Sequence, residues 1–277
     1  MMTLLKSALF FSLFTILTVP TRAQPETSPS KFFSQNQVFS PLIGDPEMPV
    51  IGLTTYSRGA YEVSLGLSKD LLAFRSNDSM LWAWGAFAGA KFLEQGDWFS
   101  FSGSQQAVDW QAGTYLSEIT GRFSHKLQWT HTISYLGDGL QDGRSPITYT
   151  RDRVSLTSSF DPWDGIRFYG GLGLKLWWDD LRLGGSQSSL MFGLELHHPL
   201  AQTKNISLEG YATYQWEYKD DGPGFIDQEA QIGIRWKNMT TSPNVRLALL
   251  YYNGHSLFGQ FWMEKDEHLA LGLYLDL

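Results

Sequence analysis

His131 and Ser134 are residues whose types could supply a base and a nucleophile for ester hydrolysis. They lie in 121–136, where polar and apolar residues alternate, so the segment is predicted to be a strand. On a strand, side chains share a face only when they are an even number of positions apart, so Ser134 points away from His131. The same-face neighbour, Ile133, carries no nucleophile. We therefore expect His131 to be an interfacial residue or a partner of a neighbouring strand, and we predict from the sequence that the protein is not a Ser–His lipid hydrolase.

Motifs for metals and cofactors are missing from the sequence. His197 and His198 are adjacent, so on a regular strand they face opposite sides and cannot share one metal ion. There is no HExxH, no GxSxG, no phosphate-binding glycine loop and no cysteine. We therefore predict neither a cofactor nor a metal site. Acidic residues of the predicted outer loops offer hard oxygens without the EF-hand spacing, and these are Asp138, Asp142, Asp179, Asp180, Asp220 and Asp221.

Charged residues on one face of the predicted strands form a cationic block followed by a mostly anionic block. Strand alternation assigns both blocks to the interior of a barrel. Two arrangements are open: the blocks face each other across a narrow water-filled pore, or they touch and form a salt-bridged plug. The predicted pore-lining residues are Arg122, Lys126, Arg151, Arg153, Arg167, Lys175, Glu195, Glu209, Glu217, Glu229 and Arg235.

The elements that position these charges are predicted to be amphipathic strands. Leucine occupies every second position from Leu269 to Leu277, with small, polar or amphipathic residues between. One face therefore suits lipid and the other suits water. The sequence predicts an all-β fold, a single antiparallel transmembrane β-barrel of about 12 strands. Besides 268–277, the predicted strands are 49–57, 61–67, 80–92, 107–118, 121–136, 146–160, 166–178, 188–198, 206–218, 227–238 and 245–254.

The predicted connections alternate between short turns and longer loops, as in outer-membrane barrels. In the first hairpin, residues 69–75 either extend the second strand or lie outside it. The expected periplasmic turns are 119–120, 161–165, 199–205 and 239–244, and the expected outer loops are 93–106, 137–145, 179–187, 219–226 and 255–267.

The N-terminal sequence has the features of an export signal, and a segment without hydrophobic alternation follows it. Residues 1–23 combine Lys6, an apolar run and a small-residue end, which predicts a secretory signal peptide. Residues 24–48 lack a period and are expected to be a periplasmic lead-in, and 49–277 to form the barrel. The formal net charge of −7 without a basic cluster argues against nucleic-acid binding.

Several motifs resemble one known family. Phe39-Ser40-Pro41-Leu42-Ile43-Gly44-Asp45-Pro46 is similar to its FSPLLADP entry motif. Residues 121–124 and 131–138 resemble its GRFS…HxSSHLGDE segment, and 150–154 and 166–171 follow at the expected distances. These are the uncharacterised exported proteins grouped as domain of unknown function 1207. The resemblance covers about 39–277 and implies an outer-membrane barrel without an assigned activity.

The sequence therefore predicts an outer-membrane β-barrel of unknown specific activity in a Gram-negative-type bacterium. A narrow pore or a structural membrane component is the expected function. One alternative is a membrane-embedded lipid-modifying enzyme, and another is a soluble secreted β-sandwich that binds a ligand. The expected partners are outer-membrane lipid and the barrel-assembly machinery, with no nucleic acid, and the sequence leaves the oligomeric state open.

Overall fold

The fold is an antiparallel sheet that closes on itself. The computed structural model describes residues 31–32, 37–77, 79–97, 102–138, 146–147, 149–178, 188–220, 225–238 and 243–276. Within these ranges, a short β1 is followed by twelve barrel strands, β2–β13, each paired with the next. The last strand pairs with the first, Leu273 lying opposite Leu53, which closes the barrel. The predicted all-β barrel of about 12 strands is confirmed, and the soluble sandwich is wrong.

The strands fall close to the predicted alternating segments. β1 at Lys31–Phe32 pairs with the far end of β3 and adds to the sheet outside the barrel circuit. The barrel strands are β2 Ile51–Tyr56, β3 Ala60–Asn77, β4 Met80–Asp97, β5 Ser102–Thr120, β6 Phe123–Leu136, β7 Tyr149–Trp163, β8 Ile166–Trp178, β9 Ser188–Gln202, β10 Ile206–Lys219, β11 Phe225–Asn238, β12 Asn244–His255 and β13 Lys265–Asp276.

Alternation along each strand separates a lipid-like outer wall from a polar inner wall. On β13, Leu271 is 54% exposed on the outside, whereas Ala270 is 4% exposed on the inside. On β10, the odd-numbered residues from Glu209 to Glu217 are buried in the interior and the even-numbered ones are partly or fully exposed. Large apolar side chains at the protein surface are the ordinary state of a barrel whose exterior contacts lipid.

The barrel has a turn end and a loop end. The turn end carries the hairpins 121–122, 164–165 and 203–205 and the end of β13. The loop end carries the longer connections, including 137–148 and 256–264. Among the described residues, no helix is both long and apolar enough to cross a membrane. The predicted signal at 1–23 lies outside the described residues.

The early hairpins are longer than predicted. Residues 69–75 lie within β3, so they extend the second barrel strand. The expected outer loop 93–106 is wrong over most of its length, because β4 runs to Asp97 and β5 starts at Ser102. The segment 102–106 is polar and carries no hydrophobic alternation, yet its backbone pairs with β4 through the ladder hydrogen bonds. Backbone pairing of this kind does not require alternating polar and apolar side chains, so the sequence pattern does not predict it.

The connection between β12 and β13 folds over the loop end of the lumen. A short 3₁₀ helix, Gly259–Phe261, lies within it, and Phe258, Phe261 and Trp262 are buried. The Gly259 backbone N–H donates to Asp109 Oδ2 at 2.9 Å. Part of the expected outer loop 255–267 therefore lies over the loop end of the lumen, against β5 and β6.

Candidate functional site

The barrel interior is a polar site that holds a stretch of the chain's own N-terminal part. We call residues 37–50 the inserted segment. Its Val38 N–H donates to Asp70 Oδ2 at 2.7 Å, and its Ile43 N–H donates to Glu195 Oε1 at 2.5 Å. Asp70 and Glu195 lie on opposite parts of the inner wall, on β3 and β9. The end of the expected periplasmic lead-in, 37–48, therefore lies inside the barrel, and 24–30 lies outside the described residues.

The inserted segment contains the whole motif Phe39–Pro46. Arg167 Nη1 donates to the Ser40 carbonyl at 2.8 Å, and Gln231 Nε2 donates to the Ile43 carbonyl at 3.1 Å. Lys91 Nζ donates to the Pro46 carbonyl. An irregular strand inside a barrel has unpaired backbone groups, and these wall side chains satisfy several of them. The motif is thus a lumen-filling element.

Phe39 anchors the beginning of this segment. Its side chain is 2% exposed and belongs to a cluster with Leu42, Tyr169 and Met191. The Lys126 ammonium lies 5.0 Å from the ring centroid, and the Arg167 guanidinium carbon lies 4.8 Å from it. Both distances are within the range of cation–π attraction. The cationic wall therefore contacts an aromatic ring of the segment.

Glu47 is the charged tip of the inserted segment. Its Oε2 lies 3.0 Å from Arg153 Nη1 and 3.4 Å from Arg151 Nη2. Its Oε1 lies 3.8 Å from Lys219 Nζ. Burial alone would raise the pKa of Glu47, but the charges of Arg151 and Arg153, and then Lys219, hold that pKa below its usual range. Glu47 is therefore ionised at neutral pH, and its carboxylate neutralises a cluster of cations on the inner wall.

The exit of the inserted segment fits over two glycines. Gly66 on β3 is paired with Gly89 on β4, and Pro49 lies against both. A Cβ atom at position 66 would come within 2.7 Å of the Pro49 Cβ, which is closer than real Cβ contacts. Glycine at 66 therefore leaves the space that the proline needs.

The two predicted charge blocks meet inside the barrel. Arg153 Nη2 lies 2.6 Å from Glu217 Oε1, and Arg235 Nη2 lies 2.7 Å from Glu209 Oε2. Arg167 Nη1 lies 3.6 Å from Glu195 Oε2. Of the two arrangements left open by the sequence, the touching one describes these pairs.

The predicted pore-lining residues are placed as follows. Arg122 is not on the wall, because the β5–β6 turn is formed by 121–122, and its side chain donates to the Pro162 carbonyl. Lys175 faces the interior near Glu47, and Glu229 is hydrogen-bonded to Gln231. The remaining predicted residues on the inner wall make the contacts described above, and these are Lys126, Arg151, Arg153, Arg167, Glu195, Glu209, Glu217 and Arg235.

A cavity of about 610 Å³ remains at the turn end. Arg167, Glu195, Glu209 and Arg235 belong to its lining. His197 also faces this cavity, with Nδ1 3.3 Å from Glu209 Oε1. The lining therefore carries both signs of charge, already paired with each other. Within the described ranges, no group of three or more His, Asp or Glu residues could hold a metal ion.

On the outer wall, two histidines of β6 each bond to a residue of β7. His131 Nδ1 lies 2.9 Å from Asp152 Oδ1, and Ile133 occupies the next outward position, so His131 bonds to a neighbouring strand as expected. The second pair joins His125 Nδ1 to Ser158 Oγ at 2.9 Å. The sequence reasoning missed this pair because it looked for a nucleophile on the same strand as the histidine. Only strand register brings His125 and Ser158 together.

Comparison with known proteins gives a family and distant barrel folds. No curated protein matches the chain. The solved β domain of the Bordetella autotransporter BrkA is 14% identical, with a TM-score of 0.45 over 82% of this chain and 97% of its own. LpxR from Salmonella typhimurium is 10% identical, with a TM-score of 0.45 over 82% and 99%. Outer membrane phospholipase A from Escherichia coli is 15% identical, with a TM-score of 0.44 over 78% and 77%.

Similarity at that level says nothing about activity. The family profile is more specific, since it spans the inserted segment and every barrel strand. It is described as "Protein of unknown function (DUF1207)" and matches residues 26–276. With its inserted motif and its twelve described barrel strands, the chain belongs to the DUF1207 family.

Proposed function

We propose that this protein is an outer-membrane barrel closed by its own inserted segment, and that it serves as a structural membrane component whose narrow pore opens only when the segment leaves. The observation that supports this proposal is Glu47, which lies among Arg151, Arg153 and Lys219 in the interior. The charge pairs therefore hold the closed form.

Because the barrel has only about twelve strands, one inserted segment is enough to close its interior. A barrel of about twelve strands has only a narrow interior. Here the interior also holds inward tyrosines, of which Tyr169, Tyr211 and Tyr274 are buried. The 256–264 connection, which is bonded to β5 and β6, narrows the loop end in addition. A steady ion current through the full-length chain is therefore not expected.

Planar-bilayer recording tests this proposal. We expect the full-length mature protein to conduct little, and a variant lacking 37–48 to conduct steadily. In case that deletion prevents folding, Glu47→Lys is the second variant, because it places a fourth cation among three and should drive the segment out. A wild-type current equal to that of both variants would contradict the proposal.

A disulfide can test segment movement because the natural chain has no cysteine. A Cβ atom built at Gly44 lies 3.2 Å from the Thr213 Cβ, so a Gly44→Cys and Thr213→Cys pair needs a shift of only a few tenths of an ångström to reach the usual ~3.5–4.5 Å separation. Openings seen in the reduced double variant should disappear on oxidation. Gly44→Cys alone is the matched control and should not respond. Equal openings in both redox states would show that the segment is not the gate.

The proposed location is the outer membrane of a Gram-negative-type bacterium, with the turn end towards the periplasm. The predicted signal at 1–23 and the exposed leucines of the outer wall support this location. The implied partners are membrane lipid and the barrel-assembly machinery. Membrane fractionation after a carbonate wash tests it, and recovery in the soluble periplasmic fraction would contradict it.

A further inference from the structure

The His125–Ser158 pair lies in a row of four residues across the outer wall. Strand register places Glu118 of β5 opposite His125 of β6, His125 opposite Ser158 of β7, and Ser158 opposite Gly170 of β8. All four positions belong to the outward-facing parity of their strands. Directly opposed residues on one face have Cβ atoms about 4.5–5.5 Å apart. A carboxylate, an imidazole and a hydroxyl are therefore neighbours in that order.

We propose that Ser158, His125 and Glu118 form a hydrolytic site on the lipid-facing wall, and that its substrate is the ester bond of a membrane phospholipid. The nucleophile and the base are within hydrogen-bond distance, at 2.9 Å. Glu118 is a positioning residue, which orients the imidazole and stabilises its protonated form. Thr120 Oγ1 donates to Glu118 Oε1 at 2.8 Å and fixes the carboxylate.

The surroundings of Ser158 suit an acyl chain and a glycerol ester. Gly170 has no side chain of its own on the β8 side, and the Phe192 ring of β9 lies 3.2 Å from where its Cβ would be, so the hydroxyl has an apolar ring on that side. Leu127 and Leu156, 49% and 46% exposed, are paired with each other further along the same strands and offer apolar contact to a chain. Phe123 and Phe160 stack on the turn-end side with ring centroids 4.7 Å apart. Aromatic residues of this kind mark the boundary between hydrocarbon and headgroups.

The depth of the site matches that of the ester. His125 is the third residue of β6 and lies next to the 121–122 turn, where water reaches the membrane boundary. Under the proposed orientation this is the periplasmic leaflet, and only the choice of leaflet rests on that proposal. By contrast, His131 has a carboxylate partner but Ile133 at its nucleophile position.

The reaction is an ordinary acyl transfer to water. Ser158 Oγ attacks the ester carbonyl carbon while its proton passes to His125. The C–O bond to the glycerol breaks, and the lysophospholipid oxygen takes the proton from His125. A water molecule then attacks the acyl-serine, giving its proton to His125, and the fatty acid leaves as Ser158 recovers a proton. One phospholipid and one water thus yield one lysophospholipid and one fatty acid.

The experiment uses the full mature chain refolded in detergent, with palmitoyl-oleoyl phosphatidylethanolamine in mixed micelles as substrate. Fatty-acid release is measured by mass spectrometry, and a fluorophosphonate probe is mapped on tryptic peptides. We expect release by the parent and labelling at Ser158. Ser158→Ala and His125→Gln should each lower release by at least about a hundredfold. Glu118→Gln should shift the pH profile of the remaining hydrolysis.

Matched controls are available on neighbouring positions. Ser159→Ala removes an inward hydroxyl that bonds to Ser124 at 2.7 Å, and His131→Gln removes the other outward histidine of β6. Both should keep the parental rate, and all variants should show the same heat-modifiable migration on gels. Release that persists in Ser158→Ala overturns the proposal. No release from the folded parent, or no label at Ser158, also overturns it.

Discussion

The inner and outer faces of the barrel are built by the same strands, yet polar side chains are arranged differently on the two faces. On the inner face, carboxylates meet cations in chains, as in Glu47–Arg153–Glu217. On the outer face of β6 and β7, polar groups occur as isolated pairs among leucines and aromatics, such as His125–Ser158. The difference indicates that inner charges serve to hold the interior together. Outer polar pairs contribute little to that purpose, so they are the places to look for chemistry.

The largest loss of stability is expected from a substitution at the centre of the inner charge network, and it tests the difference between the two faces. Arg153→Ala removes the cation nearest to both Glu47 and Glu217 in a low-dielectric interior and leaves the more distant Lys219 as their shared partner, which should cost about 3–5 kcal/mol of unfolding free energy. Urea titration in detergent micelles, followed by heat-modifiable migration, measures it. Replacing Arg153 and Glu217 together by Met and Leu should recover much of the loss. Unchanged stability of Arg153→Ala would mean that the inner charges are not structural.

A somewhat smaller effect is expected on the outer wall. Leu271→Arg places a cation against lipid and should cost about 2–4 kcal/mol near the bilayer midplane. Leu271→Ala is the control and should cost less. Ala270 faces inward, where it is buried in an apolar cluster with Tyr56 and Tyr274, so we expect Ala270→Arg to disrupt packing. Folding yields of the three variants compare the two faces directly.

Acid should weaken the inner network through Glu47. Because its pKa is lowered in the folded protein, its contribution is complete above the ordinary carboxyl value of about 4.3 and is lost as the pH falls towards the lowered value. The stability difference between the parent and Glu47→Gln should therefore be constant near neutrality and shrink below about pH 4. Melting midpoints from pH 7 to pH 2.5 measure it. A difference that grows on acidification would reverse the assigned sign.

The smallest effect should come from an ion pair at the rim of the barrel. Arg58 Nη1 lies 2.5 Å from Asp266 Oδ1, and the arginine side chain is 42% exposed. Solvent and salt screen such a pair, so Arg58→Ala should cost no more than about 1 kcal/mol. The same denaturation assay at low and high salt tests this expectation. A loss as large as that of Arg153→Ala would remove the distinction between interior and rim.

The sequence predicted the barrel because a two-residue period is a direct signature of a wall between lipid and water. The outward leucines of 269–275 and the inward Glu209 and Glu217 needed no further information. The predicted assignment of Arg122 failed because the turn position at 121–122 depends on backbone geometry, including a positive φ at Gly121. A shift of two residues in a turn moves an arginine from wall to rim.

The inserted segment could not be located from the sequence, because residues 37–50 have no period and their backbone groups, like the side chains of Phe39 and Glu47, contact residues far away in the chain. The hydrogen bond from the Ile43 N–H to Glu195 joins residues far apart in the chain, so no local sequence pattern predicts it. The row of Glu118, His125 and Ser158 was hidden for a related reason. Its three members lie on three strands, and only their register makes them neighbours.

The inserted segment is directly continuous with β2, so it stays tethered to the barrel in the open form as well as in the closed form. Val50 leads into Ile51 without a linker, and β2 forms the closing seam with β13 through register pairs from Ile51–Leu275 to Tyr56–Ala270. A segment that leaves the lumen therefore remains attached beside the opening, and its return is an intramolecular step at a high effective concentration. The rate of closing should for this reason not depend on protein concentration.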